Sequence, residues 1–258
     1  MRILVCVKQV PDTESPLSID EATLWIREDD RIAFRMNRYD EYALEEAVLI
    51  REALGDVTVD AISVGPARAA AVLKKSLEKG AAGGIHIVRD KPGYCPPSVT
   101  ASLIAGYALT GSYDLILTGV MAEDDMQCQV GPLVAARLGL PCAVSVVKET
   151  LDPGSRTVTV ECELEGGAAE TVSLPLPCLL AIQSGINRPR YPSLSNVLRA
   201  KEQELVRIVP DGESAALRTE KAISLMYPVK SSRGTVIEGS TEEKAEKLLA
   251  LLHEKSLL

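Results

Sequence analysis

Four short aliphatic runs recur in the first half of the chain, at residues 3–7, 57–64, 84–88 and 115–118, and a stretch of helical periodicity follows each. After the first run, Ala43, Leu44, Ala47, Val48 and Leu54 recur at helical spacing and Gly55 stops them. Residues 69–77 read as a second helix closed by Gly80, and residues 98–109 as a third with Ser98 at its N-cap. After the fourth run, Leu133, Val134, Ala136 and Leu138 form a stripe that ends at Gly139. Apolar runs of this length suit strands buried on both faces. Their alternation with helices predicts an α/β fold: a mostly parallel sheet with helices on both faces and residues 2–9 as a central strand. An aromatic content of 3% leaves the core to Val, Leu, Ile and Ala, as such a sheet requires.

The remainder departs from that rhythm. Residues 17–32 are short and mixed around Trp25 and read as a small hairpin excursion. Residues 144–148, 157–164 and 171–174 alternate at period two, with turns at Asp152-Pro153-Gly154 and Gly166-Gly167, which predicts an antiparallel meander. Residues 178–182 return to the buried type and are expected to rejoin the main sheet. Residues 193–201 read as a short helix after a basic, proline-rich stretch. Far along the chain, Ser240 and Glu243 form a capping box for a last helix whose Ala245, Leu248, Leu249 and Leu252 share a face. The expected organisation is one α/β domain over residues 1–209 and an extended C-terminal arm over 210–258.

The fourth strand leads into Ala122-Glu123-Asp124-Asp125-Met126-Gln127-Cys128-Gln129-Val130-Gly131-Pro132, a loop between a strand's carboxyl end and a helix's amino end. Open α/β sheets bind ligands at such places. The backbone amides of Gln127 to Val130 suit an anion, favoured there by roughly 0.3–1 kcal/mol from the helix dipole. Asp124 and Asp125 suit hydroxyl or amide donors, or the loop's own backbone. The same pattern also suits an ordinary strand-to-helix connection. Four strand ends together would line a crevice with Cys6, Lys8, Asn37, Arg38, Tyr39, Val64, Ala122, Asp125, Gln127, Cys128, Gln129 and Val130. Such a crevice fits an adenine nucleotide, and nothing in it reads as a catalytic machine.

Other classes are less compatible. A net charge of −8 argues against a general nucleic-acid binder. Six scattered cysteines without a C-x-x-C pair, and two histidines, make a zinc site or a thiol–histidine nucleophile improbable. Free thiols in a reducing compartment, no membrane span and no signal peptide are expected, hence a cytoplasmic protein. No G-x-G-x-x-G follows the first strand, and there is no Walker A pattern. His86 reads as a core or surface histidine. Arg188 and Arg190 suit a phosphate or an acidic partner, or a solvated basic turn.

Several blocks, in order and nearly end to end, give a resemblance. Residues 1–13, MRILVCVKQVPDT, come first. Asn37 with residues 40–47, DEYALEEA, comes second, then Ser63-Val64-Gly65-Pro66, Gln129-Val130-Gly131-Pro132, and Pro189-Arg190-Tyr191-Pro192-Ser193-Leu194 with Ala200-Lys201. On these the chain resembles the β subunit of electron-transfer flavoproteins. The resemblance implies a Rossmann-like, adenine-nucleotide-binding domain and a heterodimer with an α subunit that carries most of the FAD contacts. It also implies AMP, or a second FAD, in this chain. Electrons would pass from dehydrogenases, or from NADH in bifurcating forms, to a quinone oxidoreductase or another acceptor. Pro189, Arg190, Tyr191 and Leu194 would dock on dehydrogenases, with Leu194 as anchor, and the last helix would reach onto the α subunit. The chain departs from the usual family pattern at Arg38 and Tyr39, and at Met126, Gln127 and Cys128 of the loop. A free-standing nucleotide-binding protein is the remaining alternative; it leaves the 189–194 segment and the capped helix unexplained.

Overall fold

The computed structural model describes residues 1–211, 220–228, 234 and 236–258. These form two compact units, Met1–Leu225 and Met226–Leu258.

The first unit opens with β1 (Arg2–Cys6), whose side chains alternate between two layers. Ile3 and Val5 belong to one buried cluster, Leu4 and Cys6 to the other, the period-two consequence of the pleat. Next come β2 (Gln9–Pro11), a two-stranded hairpin of β3 (Ile19–Asp20) and β4 (Trp25–Ile26), and β5 (Phe34–Met36), which pairs with β2. The expected excursion is this hairpin. The chain then alternates through α1 (Arg38–Leu54), β6 (Thr58–Gly65), α2 (Ala70–Lys79), β7 (Gly83–Val88), α3 (Pro97–Gly111), β8 (Leu115–Gly119) and α4 (Val130–Leu138). The meander is β9 (Cys142–Asp152), β10 (Thr157–Glu163) and β11 (Ala169–Pro175), followed by β12 (Cys178–Ile182), α5 (Leu194–Glu202) and β13 (Val206–Ile208).

One nine-stranded sheet holds the order β11-β10-β9-β12-β8-β1-β6-β7-β13. From β9 to β13 every neighbouring pair is parallel, and only the β9–β10 and β10–β11 pairs are antiparallel. β1 is central, as expected, and β12 does rejoin the sheet, between β8 and β9. Helices α1, α2 and α5 cover one face through Leu44, Leu73 and Ala200; α3 and α4 cover the other through Ile104 and Val134. β13 has no counterpart in the sequence reading: three residues among charged neighbours give too short a periodic signal.

The Ser98 cap is corrected. Helix α3 starts at Pro97 with Pro96 at the cap and no side-chain cap bond, and Ser98 lies buried inside the first turn. Proline supplies a helical φ at a position whose N–H has no intrahelical partner. Ser193, by contrast, caps α5 by accepting from the Asn196 amide at 3.3 Å.

The second unit contains α6 (Thr241–Glu254). Its capping box is formed as expected: Ser240 Oγ accepts from the Glu243 amide at 3.2 Å, and the Ser240 amide donates to Glu243 Oε2 at 3.0 Å. Part of the loosely patterned stretch before it lies outside the described residues. Among the described residues no helix is long and apolar enough to cross a membrane.

Candidate functional site

The chain runs from β1 to β6 to β7 in one direction across the sheet, then returns to place β8 on the other side of β1. This reversal opens a crevice beyond the carboxyl ends of β1 and β8. A cleft of about 490 Å³ lies there, within the range of small-molecule sites.

Asp40 ties the two strand ends together. Its Oδ2 accepts from the Lys8 amide at 2.7 Å and its Oδ1 from the Gly119 amide at 3.1 Å. Burial pushes its carboxyl up to about 7, against the Lys8 and Gly119 amides, Asn37 and the Lys8 charge, which all favour ionisation. The approach is close: a Cβ on Gly119 would stand 2.5 Å from Asp40 Oδ1 and 2.6 Å from Tyr39 Cβ.

Asn37, 1% exposed, clamps the loop backbone. Its Nδ2 donates to the Met121 carbonyl at 2.8 Å and its Oδ1 accepts from the Glu123 amide at 3.1 Å. The Asp124 and Asp125 carboxylates are each paired through one oxygen with Lys8, whose Nζ donates to them at 2.7 and 3.0 Å. Burial works against the Lys8 ammonium, yet the two carboxylates outweigh it and hold its pKa above the usual lysine value. The acids that sit oddly beside an anion are thus paired to a cation from β1's end. Met126 and Cys128 adopt left-handed φ values of 51° and 56°. For residues with a Cβ this costs roughly 1–2 kcal/mol each, a strain that collects at ligand loops.

Past the strained turn, the amides of Cys128, Gln129 and Val130 have no protein acceptor among the described residues. They precede or begin α4 and line the cleft. Thr118, at the end of β8, lines it too, and its buried Oγ1 makes no hydrogen bond. Gly131 allows α4 to approach this hydroxyl: a Cβ there would lie 2.8 Å from Thr118 Oγ1. Unsatisfied donors at a helix N-terminus beside an orphaned hydroxyl fit the phosphate and sugar of a nucleotide.

Of the residues expected in the crevice, Cys6, Lys8, Asn37, Val64, Ala122, Asp125, Gln127, Cys128, Gln129 and Val130 line the cleft. Arg38 and Tyr39 do not. Arg38 is the first residue of α1 and turns outward, 3.7 Å from Glu123 Oε1, while the Tyr39 Cβ lies over Gly119. Several lining residues escaped the sequence reading as site residues: Trp25, Asp40, Arg68, Arg89, Tyr94 and Thr118. Thr118 and Asp40 carried a faint signal, a polar residue ending an apolar strand and an acid in a helix's first turn. The others sit in loops, the small hairpin and, for Arg68, a single 3-10 turn, where no period marks them. His86 is a core histidine on β7, with its Nε2 3.1 Å from the Gly65 carbonyl oxygen.

The 189–194 segment lies elsewhere. Arg190 is held by α1: its Nε and Nη2 donate to Glu45 Oε1, each at 2.9 Å, and Nη2 reaches Glu52 Oε2 at 2.9 Å. Tyr191 and Leu194 project, 96% and 75% exposed.

The description "Electron transfer flavoprotein domain" matches residues 24–211. The chain is 33% identical over 261 residues to the electron transfer flavoprotein subunit beta of Methylophilus methylotrophus, with 98% of each chain covered. It is 31% identical over 261 residues to the same subunit of Bacillus subtilis, with 99% of each covered. It is also 31% identical over 269 residues to the Caffeyl-CoA reductase-Etf complex subunit CarD of Acetobacterium woodii, with 100% of each covered.

Proposed function

We propose, on the premise that this chain belongs to the electron transfer flavoprotein β-subunit family, that it is the β subunit of a heterodimer that carries electrons and holds an adenine nucleotide in the β1–β8 cleft. The observation that carries the nucleotide reading is the conjunction at the switch point. The open amides of Cys128 to Val130 face a cleft that also contains the unpartnered Thr118 hydroxyl. Asn37, Asp40 and Lys8 line this cleft and hold the loop and the strand ends in place. The ligand is AMP or FAD. A flavin supplies the redox chemistry of the complex, most of it in the α subunit, and this chain's residues position and exclude water.

The exposed Tyr191 and Leu194 form the docking face for dehydrogenases, with Pro189 and Arg190 setting the path of the backbone beneath them. A quinone oxidoreductase or another acceptor receives the electrons. Residues 210–258 act as the arm that packs on the α subunit. A second reading, a subunit of an NADH-dependent bifurcating complex, is favoured by the full-length likeness to the Acetobacterium woodii complex subunit.

The test is to co-express the chain with its α partner, denature the complex and identify the released nucleotides by chromatography. FAD with AMP supports the carrier. FAD alone, at about twice the single-site amount, supports the bifurcating reading. No nucleotide beyond one FAD overturns the nucleotide site.

A further inference from the structure

The outer wall of the cleft is aromatic, and the reading above leaves it without a role. Trp25, the one tryptophan of the chain, stands on β4 directly after Leu24, whose φ is a left-handed 50°. Its ring centroid lies 5.4 Å from that of Tyr94, with the planes tilted by 47°. Tyr94 is fixed at its hydroxyl, which accepts from Gln127 Nε2 and donates to Glu220 Oε1 at 3.3 Å. Burial pushes the phenol up to about 12, so it remains a neutral donor. The hairpin, the loop after β7 and the loop before α4 therefore meet at one aromatic pair.

A tryptophan packed on a tyrosine is ordinary in a core. Here the pair lines the main cleft and also an adjoining cavity of about 320 Å³. The indole is only half-buried, and its N–H has no protein acceptor among the described residues. The carboxylates of Asp124 and Asp125 line both spaces as well. An indole held by a fixed neighbour, facing a cavity with acceptors beside it, suits a flat ring that carries N–H donors.

We propose that Trp25 is a ring-stacking residue of this site: the planar ring of the bound nucleotide, adenine or flavin, lies against the indole, and Tyr94 holds the indole in place. The proposal rests on the cleft being a nucleotide site. Stacking accepts any planar ring, which suits a site whose nearest ammonium, on Lys8, is already committed to two carboxylates.

The test uses the complex of this chain with its α partner, stripped of exchangeable nucleotide and titrated with AMP or with FAD. Affinity is measured by titration calorimetry in the wild type, Trp25→Ala and Trp25→Phe, and tryptophan emission is followed in the wild type and Trp25→Phe. The wild type should show a saturable emission change that is missing from Trp25→Phe. Trp25→Ala should weaken binding about tenfold or more, and Trp25→Phe by no more than about threefold. A loss confined to FAD places the flavin ring on the indole; a loss shared with AMP places the adenine there. Wild-type affinity in Trp25→Ala, or equal losses in both variants, overturns the proposal. A wild-type complex that neither carries nor takes up nucleotide overturns the reading of the cleft itself, and is a separate result.

Discussion

Arg190 is bound to Glu45 across 145 residues of sequence: its backbone amide and guanidinium both donate to that one carboxylate, at 2.9 to 3.0 Å. Glu45 is 5% exposed and sits on α1, so the 189–194 segment is bolted to a helix that also packs on the central sheet. The basic residue of a surface segment is therefore an anchor, and the surface is left to Tyr191 and Leu194.

Arg190 and Leu194 should consequently separate by readout. Arg190→Ala should lower stability by on the order of 2 kcal/mol, because Glu45 is left buried without its partner. Leu194→Ala should leave the melting temperature unchanged and slow electron transfer from dehydrogenases. Thermal melts and reduction kinetics measure the two; unaltered kinetics for Leu194→Ala across several dehydrogenases would remove its docking role.

Lys8 sits between two carboxylates whose side chains are 6% and 14% exposed. Lys8→Met should destabilise the fold by on the order of 2 kcal/mol and lower nucleotide occupancy, since Asp124 and Asp125 then repel within the loop. Adding Asp124→Asn should recover part of both losses. A double variant no better than Lys8→Met alone would show that the ion pair does not shape the loop.

Val130 is the first residue of α4, a place where proline is tolerated. Val130→Pro therefore removes one amide donor without removing an intrahelical hydrogen bond. It should reduce nucleotide occupancy more than Cys128→Ser does, and chromatography of the denatured complex quantifies both. Equal occupancy would refute backbone binding of the phosphate.

Glu149, on β9, faces Glu46 of α1, with Glu45 beside it; Asn187 Nδ2 donates to Glu46 Oε2 at 2.7 Å. Burial, then the charge of Glu46, pushes Glu149 up to about 7, and burial raises Glu46 as well. The folded state thus holds a proton that the unfolded chain releases near 4.5. Stability from this pair falls as pH rises from about 4.5 through about 7, and the loss is complete above that. Glu149→Gln, neutral throughout, should raise the melting temperature at pH 8 more than at pH 5. Parallel melting-temperature profiles for wild type and variant would exclude the pair as the source.

The layered α/β plan was legible in the sequence because it rests on local periodicity. Runs such as residues 3–7 and 115–118 suit a sheet covered on both sides, and Gly55, Gly80 and Gly139 mark helix ends where φ turns positive. Ser240 and Glu243 announced their cap because both partners lie within one turn. A crevice at strand carboxyl ends, with the 122–132 loop in it, was legible for the same reason, since loop position follows from alternation; the order that sets β8 beside β1 came from the tertiary structure.

What each side chain does there was decided only by tertiary structure. Asn37 clamps the loop, Asp40 joins two strand ends, Lys8 neutralises two acids and Arg190 grips α1, through partners 32 to 145 residues away. Trp25 and Tyr94 meet across the cleft from a hairpin and a loop that carry no periodic signal. Hydrogen bonds and ring contacts are short-ranged, a few ångströms, while the separations they bridge in sequence are set by how the sheet closes. The sequence thus determined where the cleft lies, and the packing of distant segments determined which residues face it.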